Sequence, residues 1–348
     1  MRDLKYLVAY ILPLLPTLGF WFGGAMAYLT PLVIFIVFPL MELFLPGTEE
    51  NHSPNTEKSR FENRFFDVLL YLNVPIMYVL LATYFSLLTS ANWPTWEWVG
   101  HTLSLGMVCG AIGINVAHEL GHRTKKYEQY LAQALLLSSC YLHFFVEHNR
   151  GHHKHVATPL DPATARLGES VYAFWIRSVF GGWRSAWRLE QERLERNKLP
   201  FISWHNVMVR LTLLQLAALA VVGIIWGPFA VACYLLMGLI GGLMLETVNY
   251  LEHYGIVRDE IRPGVYEPVK PWHSWNSNHS LGRILLYELT RHSDHHYRAS
   301  RKYQILRYHK ESPQLPTGYP GMMVLSLFPP AWFHIMHKQL ERTQVDHA

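Results

Sequence analysis

The sequence predicts an all-α integral membrane protein with about six transmembrane helices and a helical cap on one side of the bilayer. Three observations carry this. Half of the 348 residues are apolar and 14% are aromatic, including 12 tryptophans. Only 16% are charged, against roughly 25% in an ordinary soluble domain. The apolar residues also come in paired runs, each near the ~20 residues that cross a bilayer.

The first pair is placed at 6–28 and 29–46, with its link near Tyr28–Pro31 and no charge before Glu42. Pro13, Pro16, Pro31 and Pro39 interrupt it, which membrane helices tolerate. Its first run is too long for a cleavable signal peptide and lacks a small-residue cleavage site. A polar stretch from Gly47 to Arg64 follows. The second pair is placed at 68–91 and 98–121, joined through Asn92-Trp93-Pro94-Thr95-Trp96-Glu97. The third is placed at 207–226 and 228–250, joined by Gly227 alone. The run Tyr130–Val146 is ~17 residues, at the short limit for a crossing. It is read as a buried or interfacial helix, because a crossing there would put the histidines around it on opposite faces.

Nearly every Lys and Arg then falls at the N-terminus or in segments 47–66, 118–206 and 251–348. Three hairpins put these on one face, which the positive-inside rule makes cytoplasmic. Trp93, Trp96 and Trp98 sit at an opposite turn, as an interfacial aromatic belt would. Residues 118–206 and 251–348 make the cap, and the whole chain, 1–348, reads as one domain. The net charge of +4 is modest and carries no nucleic-acid signature. Cys109, Cys140 and Cys233 lie in apolar stretches without a CxxC pair. They indicate neither a disulfide framework nor a thiolate metal site.

The outlying number is 20 histidines. His118-Glu119-Leu120-Gly121-His122 ends the fourth span, with two imidazoles on one helical face. Taken alone it is the HExxH signature of zinc peptidases. Glu147-His148-Asn149-Arg150-Gly151-His152-His153 repeats the spacing, and His153 points about 100° away, toward a possible second ion. Arg291-His292-Ser293-Asp294-His295-His296 offers spacings i, i+3 and i+4, and His253 stands at the end of the last span. All of these fall on the expected cytoplasmic side. Nine imidazoles exceed the three protein ligands of catalytic zinc. They suit two ions with positions left open, and O₂-activating iron accounts for them better. Glu119, Glu147, Glu252, Asn276 and Asp294 are candidates to support the ligands from behind, an outer shell that fixes imidazole orientation, or, for one of the carboxylates, to coordinate a metal directly or bridge the pair. Arg150, Lys154 and Arg291 either balance these charges or face solvent. His155 is expected to be solvated. His273 and His279, close to the last group, are intermediate. His52, His101, His143, His205, His309, His334, His337 and His347 are expected at surface, interface or packing positions.

The set HELGH, EHNRGHH, NYLEHYG and RHSDHH resembles the membrane-bound alkane 1-monooxygenases, the rubredoxin-dependent alkane hydroxylases. The likeness extends to Val156-Ala157-Thr158-Pro159, Asp161-Pro162-Ala163, Arg166–Ser170 and His273–His279. Arg123, Thr290 and Tyr297 depart from the family's usual Lys, Gln and Ala, and none of these changes removes a ligand. The resemblance implies His118, His122, His148, His152, His153, His253, His292, His295 and His296 as ligands of two irons. It implies hydroxylation of the terminal methyl of a medium-chain alkane, with O₂ as co-substrate, in a bacterial inner membrane with the metal site facing the cytoplasm. Electrons would come from a separate rubredoxin, itself reduced by an NAD(P)H-dependent reductase. No flavin or haem is expected in the chain. Lys125, Lys126, Arg184, Arg188, Arg301 and Lys302 would attract an acidic carrier or serve as anchors. Candidate channel walls lie on the first four spans and on Leu243, Met244 and Thr247, whereas Gly238, Gly241 and Gly242 are expected to permit close helix packing.

The related alternatives are a fatty-acyl desaturase and a xylene-type hydroxylase with similar histidine boxes. More distant ones are a membrane zinc peptidase using His118, Glu119 and His122, and a metal transporter. A transporter would place its ligands at the bilayer midplane rather than at one face.

Overall fold

The computed structural model describes residues 2–347, and side chains from 3 to 343, so the side chain of His347 lies outside the described residues. Its helices include α1 (Asp3–Phe22), α2 (Gly24–Glu42), α3 (Arg64–Ser90), α4 (Thr95–Gly121), α5 (Lys126–Ser138), α6 (Val171–Arg196), α7 (Val207–Trp226), α8 (Pro228–His253), α9 (His292–Tyr297), α10 (Tyr319–Ser326) and α11 (Pro329–His347), with shorter ones such as Pro54–Glu62 and Ser280–Leu285. Among the described residues, the six helices α1–α4, α7 and α8 are long and apolar enough to cross a membrane. A short antiparallel hairpin pairs β1 (Glu260–Arg262) with β2 (Val265–Tyr266).

The first hairpin turns at Gly23, not near Tyr28–Pro31 as expected. Gly23 and Gly24 have φ of +63° and +57°, a left-handed geometry that glycine adopts without a Cβ penalty. Pro31 and Pro39 are absorbed within α2, which carries a π-turn at Val33–Val37. Gly227 does turn the last hairpin, at φ +86°. The run 130–146 is not one helix. α5 ends at Ser138, Cys140 takes φ +51°, and a short helix resumes at Phe144–Glu147.

The chain divides into two compact units: Met1–Val33, Arg64–Gly151 and Gly182–Leu245; and Ile34–Asn63, His152–Gly181 and Glu246–Ala348. In the first unit α4 is the central helix. Its apolar stretch is 78% buried, whereas that of α7 is 17% buried. α7 keeps side chains such as Ile224 exposed, as a surface bathed in lipid would. Small residues let neighbours approach α4. A β-carbon at Gly100 would fall 2.6 Å from the Tyr28 ring, and one at Gly241 would fall 3.0 Å from the Gly110 nitrogen and 3.1 Å from the Gly106 carbonyl. Gly238 and Gly242 sit equally close to Cys140 and to Tyr141. Helices in lipid gain contact through such small residues, since the hydrocarbon around them offers no hydrophobic drive to pair. α4 also carries a π-turn at Cys109–Ile114, which shifts the phase of the helix just before His118.

Gly241→Leu should therefore force α8 off α4 and cost about 1–3 kcal/mol. Thermal unfolding in detergent reads this as a lowered midpoint. An unchanged midpoint would mean that the contact contributes nothing.

Candidate metal centre

Within the first unit, His118 comes from the last turn of α4 and His122 directly follows it, and His148 follows the Phe144–Glu147 turn. The His118 ring lies 4.2 Å from His148 and 5.2 Å from His122, centre to centre. The Nε2 atoms of His122 and His148 face each other at 3.1 Å. Phe144 stacks on His148 at 4.6 Å and covers its outer face.

Within the second unit, His152, His253, His292 and His296 are all buried, with ligand atoms within 4.8 Å of one another. His253 is the last residue of α8, and His292 and His296 share one face of α9. Nε2 of His152 faces that of His296 at 3.2 Å, and His253 faces His292 at 3.2 Å. His153 faces His295 at 3.2 Å, and its ring lies 4.5 Å from that of His296. Two imidazole nitrogens at this separation suit neighbouring positions on one ion bonded at about 2.0–2.1 Å. No cysteine accompanies them, and imidazole alone suits Zn, Cu, Fe or Ni.

The i, i+4 spacing led us to expect His148 and His152 in one set. They are in different sets. The segment His148–His152 is a π-turn, whose wider ring re-aims successive side chains relative to an α-helix.

Behind the ligands, Asp161 lies 2.9 Å from Nδ1 of His152, while the Ala163 nitrogen and the Thr164 hydroxyl donate to its two oxygens at 3.0 and 2.6 Å. Burial pushes the Asp161 carboxyl up, but His152 and Thr164 outweigh it and hold the group below its ordinary range. Glu252 lies 3.2 Å from Nδ1 of His292 and accepts from the Tyr319 hydroxyl at 2.7 Å. Asp294 behaves otherwise than expected. It binds Arg301 at 2.6 Å, His309 at 2.8 Å and the Arg307 nitrogen at 2.8 Å, so it pins α9 rather than orienting one of the nine imidazoles. Burial raises its carboxyl, and these three donors bring it below the usual value. Asn276 accepts from Ser293 at 3.2 Å, also bracing α9. Glu119 pairs with Arg123 at 2.7 Å. Glu147 lies so close to Gly151 that a β-carbon there would fall 2.6 Å from its Oε1.

Sequence reading missed Asp161, His309 and Tyr319 as supports. Asp161 is nine residues from its imidazole and Tyr319 is 67 from its carboxylate, so no local spacing announces either. Arg301, considered as a contact for an acidic carrier, is taken up by Asp294. Arg150 pairs with Glu190 at 2.7 Å. The other histidines have different neighbours. His273 meets Glu267 at 3.2 Å, His279 meets Ser277 at 3.1 Å, His337 meets Tyr254 at 3.0 Å, and His101 packs on Trp93 at 4.3 Å.

Residues 92–326 match the fatty acid desaturase family model. Alkane 1-monooxygenase 1 of Alcanivorax borkumensis is 37% identical over 340 residues, 94% of this chain and 82% of that protein. The chain belongs to the alkane 1-monooxygenase family. Alkane 1-monooxygenase 2 of Pseudomonas aeruginosa is 39% identical over 92% of this chain and 85% of its own length. A xylene/toluene monooxygenase hydroxylase component of Pseudomonas putida is more distant, at 27% over 97% of the chain and 89% of that protein. The six apolar helices are thus those of a multi-pass membrane enzyme, and the family favours alkane hydroxylation over desaturation or peptide hydrolysis.

In this member of the family, one buried cation holds the short helix α9 in place. Arg291, 1% exposed, directly precedes it. Its guanidinium donates to the carbonyls of Thr48 and Glu50 at 3.1 Å and of Leu306 at 2.9 Å. α9 has six residues and no side-chain N-cap, too little to persist by itself. Arg291→Met would leave three carbonyls without their donor and cost on the order of 3 kcal/mol. The unfolding midpoint should fall by several degrees, and retention of wild-type stability would refute the role.

Proposed function

We propose that the chain converts the terminal methyl of medium-chain alkanes to a primary alcohol, using O₂, two protons and two electrons and releasing water. The nine histidines are read as ligands of two irons. The observation that most supports this is the buried quartet His152, His253, His292 and His296, four converging imidazoles in a member of a monooxygenase family. Iron, when bound, would supply the O₂ chemistry that no side chain can.

The chain's own part is to present neutral nitrogen lone pairs and keep water out. Burial holds the His296 imidazole far below its ordinary value, so its nitrogen stays unprotonated. Asp161 accepts the Nδ1 proton of His152, which leaves Nε2 free to coordinate, and the Glu252 carboxyl lies 3.2 Å from Nδ1 of His292. Asp294, Asn276 and Arg291 keep α9 rigid, so that His292, His295 and His296 need no reorganisation.

Electrons are assigned to a separate reduced rubredoxin, itself served by an NAD(P)H-dependent reductase. The basic segments on the face carrying the histidines support an acidic carrier. By the positive-inside rule that face is cytoplasmic, in the inner membrane.

The test is made on purified protein in nanodiscs, with metal counted per chain and products analysed from alkanes of graded length, given O₂, rubredoxin and reductase. Two irons and primary alcohols are expected. One zinc without oxygenated product would overturn the reading, and an unsaturated acyl product would replace hydroxylation by desaturation. His253→Ala should abolish turnover and lose iron. Asp161→Ala should keep the ligands but weaken iron retention about 10–100-fold. Unchanged iron in both variants would sink the assignment of the quartet.

A further inference from the structure

Apart from the histidines, the first unit holds a cavity of about 160 Å³ at the start of α7. Leu142, Met208 and Leu211 make its apolar wall, and His143 and Gln215 bring polar atoms to it. None of its lining residues is Lys, Arg, Asp or Glu.

Gln215 is eight residues into α7, about 12 Å along the helix. The nitrogen and the oxygen of its amide are both covered, and among the described residues no nitrogen or oxygen pairs with either. The Cys140 thiol sits against it, but sulfur is a weak donor and a weak acceptor. An amide within a bilayer span normally bonds across to a neighbouring helix, because hydrocarbon offers no replacement. Here the amide meets a cavity instead. His143 adds a second polar group. Burial lowers its imidazole to about 4, so it is a neutral donor and acceptor. His143 also adjoins Phe144, the ring that stacks on His148. The cavity and the first histidine set are therefore served by one stretch of chain.

We propose that this cavity binds the hydroxyl end of a long-chain primary alcohol, with the Gln215 amide pairing with the hydroxyl. The proposal rests on the hydroxylation reading for the source of that alcohol. A hydroxyl both donates and accepts, as the unpaired amide requires. An alkane would leave the amide unsatisfied. A carboxylate would find no cation among the lining residues. A dry cavity of about this volume admits benzene, roughly six carbons, so the remaining chain must pass out into lipid. Trp183, which lines the cavity and is 51% exposed, marks the open side.

Decyl alcohol carrying a diazirine on its chain is photolysed with the full-length protein in nanodiscs, without O₂ or reductant. Matched decane and decanoate probes run in parallel. The alcohol should label peptides bearing Cys140–His143 and Met208–Leu216, and unlabelled decyl alcohol should compete. Gln215→Leu should cut that labelling about fivefold to tenfold, the worth of one hydrogen bond. Gln215→Asn, which keeps the amide one methylene shorter, should fall between. Equal labelling by decane, or wild-type labelling in Gln215→Leu, would overturn the site. So would preferential labelling by decanoate. A Gln215→Leu protein with the wild-type unfolding midpoint excludes misfolding as the cause of a loss. Labelling needs no turnover, so a protein that labels here but makes no alcohol would support the site while refuting the hydroxylation reading.

Discussion

Imidazole nitrogens that face one another at 3.1–3.2 Å are the constraint on which the rest of this protein depends. Protonated, such rings would repel at short range. Neutral, they present lone pairs to each other. A shared cation would remove the conflict, and burial keeps the His296 imidazole in the neutral state that a cation needs. Much of the second unit can be understood as the means of holding this arrangement still. Asp161 is hydrogen-bonded to His152, Glu252 stands beside His292, Asp294 is occupied by Arg301 and His309, and Arg291 ties three separate carbonyls to the start of α9.

A short helix carrying three of the clustered histidines cannot be stable through its own hydrogen bonds. Charged groups are therefore buried around it, Asp294 with partners 7 to 15 residues along the chain and Arg291 with carbonyls 241 and 243 residues away. Buried charge is costly unless paired and hydrogen-bonded. The network is tolerable because its known contacts are close and directional, as in the paired oxygens of Asp294 on Arg301 at 2.6 and 2.7 Å. Such a network adds rigidity where redox chemistry would need fixed geometry.

The membrane part follows a different rule. Lipid supplies no drive for helix pairing, so close approach is achieved by omission of side chains at Gly100, Gly106, Gly110 and Gly241. α4, buried by these contacts, carries His118 and His122 at its end. α7, facing outward for most of its length, is free to carry an amide into a cavity. One set of spans thus anchors ligands while another offers surface to lipid and to lipid-soluble molecules.

The sequence by itself determined the class, the number of crossings and the histidines of interest, because hydropathy, charge placement and HExxH-like spacing are local signals. Gly227 was legible as a turn for the same reason. Only the tertiary structure decided which histidines belong together. A π-turn at His148–His152 separates two residues whose spacing in an α-helix would have joined them. The support of His152 by Asp161 and of His292 by Glu252 with Tyr319 was likewise hidden, as was the diversion of Asp294 to Arg301. Those pairings span 7 to 67 residues and depend on how the chain turns back on itself, and no periodicity along the sequence encodes that.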